Sequence, residues 1–192
     1  MLLDDFNGAT DADAAAIAKV WADVPAWVDA LVAARPYPSV DVLLDRAAAE
    51  ASSWGGAELE TALAQHPRIG EKPRGKSAEA SASRREQASM SDADADVTRR
   101  ITDGNAAYEA RFGRVFLIRA AGRPPEEMLA ELDRRLGGDD ESEVREACAQ
   151  LAEIALLRIG TTFADPARSD AEPSDSAPRS AEPSAPAAPE RA

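Results

Sequence analysis

Helices alone are expected to build this chain, as a single compact all-α bundle of about seven to eight. Three features of the sequence say so. Ala, Leu, Glu and Arg, all good helix formers, dominate the body of the chain. Apolar residues recur at three- and four-residue steps through one segment after another, with caps and prolines at the boundaries. Only the run Val115-Phe116-Leu117-Ile118 is β-prone, and no second strand is evident to pair with it, so it reads as a buried extended segment.

Taken in order, Thr10 can cap a helix through Ile17, Val20 and Trp21. Pro25 suits the first turn of the next, which carries Trp27, Val28 and Leu31 and is ended by Pro36 and Pro38. Ser39 caps a third, with Val40, Leu43, Leu44 and Ala47 at helical spacing. Gly55-Gly56 breaks the chain before a short helix through Leu59 and Leu63 that leads to His66. From Ala78 to Met90 the pattern is helical but weakly apolar. A longer helix runs from Asp94 to Phe112, weakened in its middle by Asp103-Gly104. Pro124-Pro125 opens a helix to Leu136, stopped by Gly137-Gly138, and a final helix covers Ser142 to Ile159.

Composition sets the outer limits. The 192 residues carry 22 basic and 35 acidic side chains, a net charge of −13, with one His and one Cys. That inventory cannot build a zinc site of the Cys₄, Cys₂His₂ or His₃ kind, and one Cys forms no intrachain disulfide. The acidity argues against a nucleic-acid partner. No basic segment followed by an apolar core opens the chain, and no apolar run approaches the ~20 residues that span a bilayer. A cytoplasmic protein with no membrane attachment is expected. Residues 166–192 hold six prolines and no Val, Ile, Leu, Met, Phe, Trp or Tyr. Such a segment cannot offset its ordering entropy by burial and reads as a disordered tail. The folded domain is then 1–165, which keeps 19 basic and 30 acidic residues.

Three places break the helical pattern. His66 precedes Pro67, which pushes its backbone out of the α region, so it sits where a helix ends and the chain turns. It is either a functional loop residue or a helix-terminal histidine facing the last carbonyls. In Ser83-Arg84-Arg85-Glu86-Gln87, the spacing lets Ser83, Glu86 and Gln87 share one helix face, either as a site or as a solvated surface. Arg158 falls on the apolar stripe Val144, Cys148, Leu151, Ile154 of the last helix. Buried there it needs a carboxylate, its own protein's or a ligand's; otherwise the helix frays and it reaches water.

These pieces together carry a resemblance. His66-Pro67-Arg68-Ile69-Gly70, then Ser83-Arg84-Arg85-Glu86-Gln87, then Asn105-Ala106-Ala107-Tyr108-Glu109-Ala110-Arg111-Phe112-Gly113, resemble the OHCU decarboxylase family (2-oxo-4-hydroxy-4-carboxy-5-ureidoimidazoline decarboxylases). The likeness continues through Phe116-Leu117-Ile118-Arg119-Ala120, Gly122-Arg123 and Arg158, over residues 5–160. Where the family usually has a Gly two positions after the Glu-Gln pair, this chain has Ser89, and Asp103-Gly104 stands where Leu is usual. The resemblance implies a helical lyase of urate breakdown that needs no metal or other cofactor, forms a homodimer, and converts the small molecule OHCU to (S)-allantoin. It places the catalytic roles on His66, Glu86 and Arg158. It places substrate binding on Pro67, Ser83, Arg84, Arg85, Gln87, Phe116, Leu117, Ile118, Arg119 and Ala120. His66 would be the general acid/base, Glu86 would orient it or bond the substrate, and Arg158 with Arg68 would make the pocket locally positive within an acidic chain. The competing expectation is a non-catalytic helical interaction module on the same scaffold, which would have no need of His66.

Overall fold

The computed structural model describes residues 1–64, 66–71 and 77–164; the tail expected over 166–192 lies outside them. Nine α-helices form among the described residues, with no strand. They are α1 (Leu3–Gly8), α2 (Asp11–Trp21), α3 (Pro25–Ala33), α4 (Val40–Ala51), α5 (Gly56–Leu63), α6 (Ala78–Glu86), α7 (Ala95–Phe112), α8 (Pro125–Leu136) and α9 (Asp140–Phe163). A 3₁₀ turn, Ala88–Asp92, follows α6. None of the helices is long and apolar enough to cross a membrane.

The expected caps form. The Thr10 hydroxyl accepts the Asp13 N–H, the Ser39 hydroxyl accepts the Val42 N–H, and Pro25 occupies the first turn of α3.

Four elements differ from expectation, each for a reason outside its own segment. α1 is too short to show periodicity, and it forms because Phe6 is fully buried against Trp21, Tyr37 and Phe163. α9 runs four residues past Ile159 because Phe163 joins that aromatic cluster and the Thr162 hydroxyl accepts the Trp21 indole N–H at 2.9 Å. α6 stops at Glu86, not Met90: Gln87 leaves the helical conformation and its side chain turns to a neighbouring loop. Ser89, in the 3₁₀ turn, donates its hydroxyl to the Arg123 carbonyl at 2.9 Å. α7 passes unbroken through Asp103-Gly104. A Cβ on Gly104 would lie 2.6 Å from Leu132 Cδ2, so the glycine permits the close packing of α7 on α8.

The apolar side chains divide into two cores. The larger is built by α1–α5 and α9; the smaller by α7 and α8 with Ile69. The segment 115–120 lies between them and alternates: Leu117 enters the larger core, while Phe116, Ile118 and Ala120 enter the smaller. A period of two in an extended backbone puts successive side chains on opposite faces. That alternation makes the unpaired β-prone run the seam of the molecule.

Behind the seam lies a buried charge network. Arg135 on α8 and Glu143 on α9 are both about 1 % exposed and paired; Arg135 Nε donates to the two Glu143 oxygens at 3.1 and 3.0 Å. The Tyr108 hydroxyl donates to the same carboxylate. Burial, with that hydrogen bond, raises the Tyr108 phenol above its ordinary pKa.

Candidate active site

The loop after α5 is tied down from three directions. The His66 N–H closes the last turn of α5 on the Leu63 carbonyl at 3.0 Å, and Pro67 then prevents helix continuation. Arg68 forms a two-point pair with Glu109 on α7, with Nη2 donating to Oε2 at 2.8 Å, and a weaker contact to Glu71. Asn105 Nδ2 donates to the Ile69 carbonyl at 2.9 Å. Gln87 Oε1 accepts the Gly70 N–H at 3.1 Å. Gly70 has φ +83°, a conformation L side chains rarely adopt. The three sequence pieces that carried the resemblance are therefore direct hydrogen-bonding partners in space.

Arg158 finds the carboxylate its burial requires, and it is the protein's own. Its Nε and Nη2 donate to the two oxygens of Glu86 at 2.6 and 2.8 Å. Nη2 also donates to the Ser83 hydroxyl at 3.3 Å, and Nη1 to the Val20 carbonyl at 3.0 Å. The pair is mostly buried, so the bidentate geometry compensates for lost hydration. Arg68 and Arg158 are thus both matched by carboxylates, which corrects the expectation that they leave the pocket positive.

His66 stands beside this pair. Among the described residues, no hydrogen bond joins its imidazole to Glu86, so Glu86 does not orient it directly; the two groups interact through charge. Burial first and the Arg158 charge second, opposed by Glu86, pull the imidazole pKa down to about 4. At neutral pH the ring is therefore uncharged. The unfolded state, near 6.5, binds the proton more readily, so the folded protein should lose stability as pH falls from about 6.5 to about 4. His66→Asn, which cannot titrate, should flatten the dependence of Tm on pH in that window. Parallel slopes for the two proteins would show that His66 is not held neutral by the fold.

Two spaces meet at His66. A cavity of about 270 Å³ is lined by His66, Pro67, Ser83 and Arg158 together with Lys19, Trp21, Asp23, Ser77 and Glu79. That is just under the usual range of ligand pockets, about 300–1,000 Å³. A second crevice, of about 10 Å³, is lined by His66, Pro67, Glu86, Gln87, Phe116, Leu117, Ile118 and Ala120 with Ile69 and Ile154. Ten of the thirteen expected side chains thus border these two spaces. The other three do not. Arg84 is exposed and bonds the Ser81 hydroxyl. Arg85 lines a separate cavity of about 390 Å³ together with Glu86, Arg158, Leu157 and Thr161. The Arg119 guanidinium turns to Glu153 and to the Ala121 carbonyl. Among the described residues, no group of three His, Cys, Asp or Glu side chains is placed to hold a metal ion.

The residues that sequence reasoning did not assign are supporting ones: Asn105, Glu109, Arg135, Glu143 and Gln150. Arg135 follows Met128 and Leu132 at steps of four and three, so a charge on an apolar stripe marked it as it marked Arg158. Glu143 and Gln150 fall on a neighbouring stripe of the last helix with Ala147 and Ile154.

Known proteins agree with this architecture. The sequence profile of the OHCU decarboxylase family matches residues 7–160. A 2-oxo-4-hydroxy-4-carboxy-5-ureidoimidazoline decarboxylase of Haloferax volcanii is 31% identical over 133 residues, covering 67% of this chain and 76% of that protein. A crystal structure of OHCU decarboxylase in the presence of (S)-allantoin superposes with a TM-score of 0.65 at 21% identity, over 77% of this chain and 96% of that one. A crystal structure of (S)-allantoin synthase gives 0.61 at 16% identity, over 85% of this chain and 54% of the longer one. The chain therefore belongs to the OHCU decarboxylase family and is a carboxy-lyase.

Proposed function

We propose that the enzyme decarboxylates OHCU to (S)-allantoin in urate breakdown, without a cofactor and with His66 as general acid/base. The observation that carries this reading is the meeting of His66, Glu86, Arg158 and the 116–120 segment at one seam, from positions up to 92 residues apart. The substrate needs little more. Its carboxylate sits on a ring carbon beside a hydroxyl, next to a conjugated C=N. As the bond to CO₂ breaks, its electron pair forms C=C with the neighbouring carbon and the C=N pair moves to nitrogen, which takes a proton. The resulting enol then becomes the carbonyl by giving up its O–H proton, while the adjacent ring carbon receives one.

An uncharged imidazole suits the first half of that exchange, accepting the enol proton. A depressed pKa suits the second half, since the transient imidazolium gives its proton up readily. Protonation from the His66 side only would set the S configuration. Ser83 and Gln87 would bond ring and ureido atoms, and the Arg158–Glu86 pair would offer both a donor and an acceptor edge. The protein would act as a homodimer in the cytoplasm, with no partner beyond its substrate.

Coupling urate oxidation and hydroxyisourate hydrolysis to this enzyme tests the reading. Uncatalysed OHCU decay yields racemic allantoin, so circular dichroism growing toward the S enantiomer is expected. Racemic product at the uncatalysed rate would leave the non-catalytic module in its place.

A further inference from the structure

Phe116, Leu117, Ile118 and Ala120 wall the crevice beside His66, yet the segment has no ladder partner among the described residues, so its backbone groups must be satisfied one at a time. Two side chains from different helices do this. Arg135 on α8 donates from Nη1 to the Leu117 carbonyl at 2.7 Å. Gln150 on α9 accepts the Arg119 N–H on Oε1 at 2.9 Å. Neither anchor is loose. Arg135 is locked by Glu143 and lies over the Phe116 ring at 4.7 Å. Gln150 is buried one helical turn before Ile154, which lines the crevice, and two before Arg158. Because the segment alternates between two cores, a slip of one residue would exchange every wall side chain for its neighbour.

We infer that Arg135 and Gln150 are positioning residues for the reaction: they clamp residues 117–119 in the register that backs the His66 imidazole where it borders the larger cavity. This rests on the decarboxylase reading, since neither side chain lines the crevice. The crevice of about 10 Å³ is too small for the substrate, so the segment packs behind the imidazole and fixes where it stands toward a ring in the 270 Å³ cavity, and therefore which face receives the proton. Small misplacements of a bound substrate cost up to about 10²-fold in rate.

The test uses the full chain with Gln150→Leu, which keeps an apolar-compatible volume on α9 and removes the acceptor. kcat should fall about 10- to 10²-fold with KM changed much less. The enantiomeric excess of allantoin should drop. Amide exchange at Arg119 should quicken about fivefold, as expected for one lost hydrogen bond. Gln150→Glu keeps an acceptor and should restore all three. Unchanged kcat and enantiomeric excess, with only a lower Tm, would overturn the inference in favour of a purely structural role. Unchanged Arg119 exchange in Gln150→Leu would overturn the clamp itself. That exchange is read without substrate, so a wild-type enzyme making no (S)-allantoin would count against the decarboxylase reading and leave the clamp measurement standing.

Discussion

His66→Asn should lower kcat for OHCU by about 10²- to 10⁴-fold while the protein stays folded, the range that a positioned general acid/base contributes. Asn keeps a polar side chain of similar reach but cannot carry a proton between oxygen and carbon. The imidazole makes no hydrogen bond among the described residues and borders open space, so its loss leaves no buried group unpaired. The chain has one histidine, so any activity titrating as an imidazole belongs to His66. Because the fold depresses its pKa to about 4, activity should hold from neutral pH downward and fail only in the acid range, as the ring becomes charged before substrate arrives. The measurement is kcat against pH for wild type and variant, with far-ultraviolet circular dichroism checking that the variant is folded. A folded His66→Asn enzyme with near-normal turnover would remove the assigned mechanism.

Glu143→Ala should cost about 3–5 kcal/mol of stability, the usual penalty for breaking a buried ion pair from one side. Arg135 would remain charged, about 1 % exposed, with no carboxylate, and the Tyr108 hydroxyl would lose its acceptor. The surface pair Arg100–Asp133 is the control; both partners are about half exposed, and Asp133→Ala should cost under about 1 kcal/mol. Urea unfolding midpoints compare the two. The triple variant Tyr108→Phe, Arg135→Met, Glu143→Leu removes every member of the network together and should recover most of the lost stability. It should not recover activity, because the Leu117 carbonyl has lost its donor. A Glu143→Ala protein as stable as Asp133→Ala would show that the network contributes nothing.

Much of the site was legible because its signals are local. His66 before Pro67 marked a turn, and Arg158 on an apolar stripe demanded a carboxylate. What no local signal could say was which carboxylate. Glu86 lies 72 residues from Arg158, and nothing in either segment names the other. Arg84 and Arg85 were legible only as neighbours of Glu86; the rotation of α6 turns both outward. The short α1 and the last four residues of α9 escaped because each depends on an aromatic cluster that joins residues 6, 21, 37 and 163.

Helix class, caps, breaks and the odd extended run follow from interactions within a few residues, so the amino-acid order alone was enough to establish them. The same is true of the missing zinc-site ligands and of the single imidazole. Three things were decided only when the helices packed: that Glu86 and not a ligand neutralises Arg158, that the imidazole is uncharged at neutral pH, and that Arg135 and Gln150 hold the 117–119 backbone. Each depends on burial and on charges brought together from distant segments. Both are properties of the packed molecule, because desolvation acts only once water has been excluded.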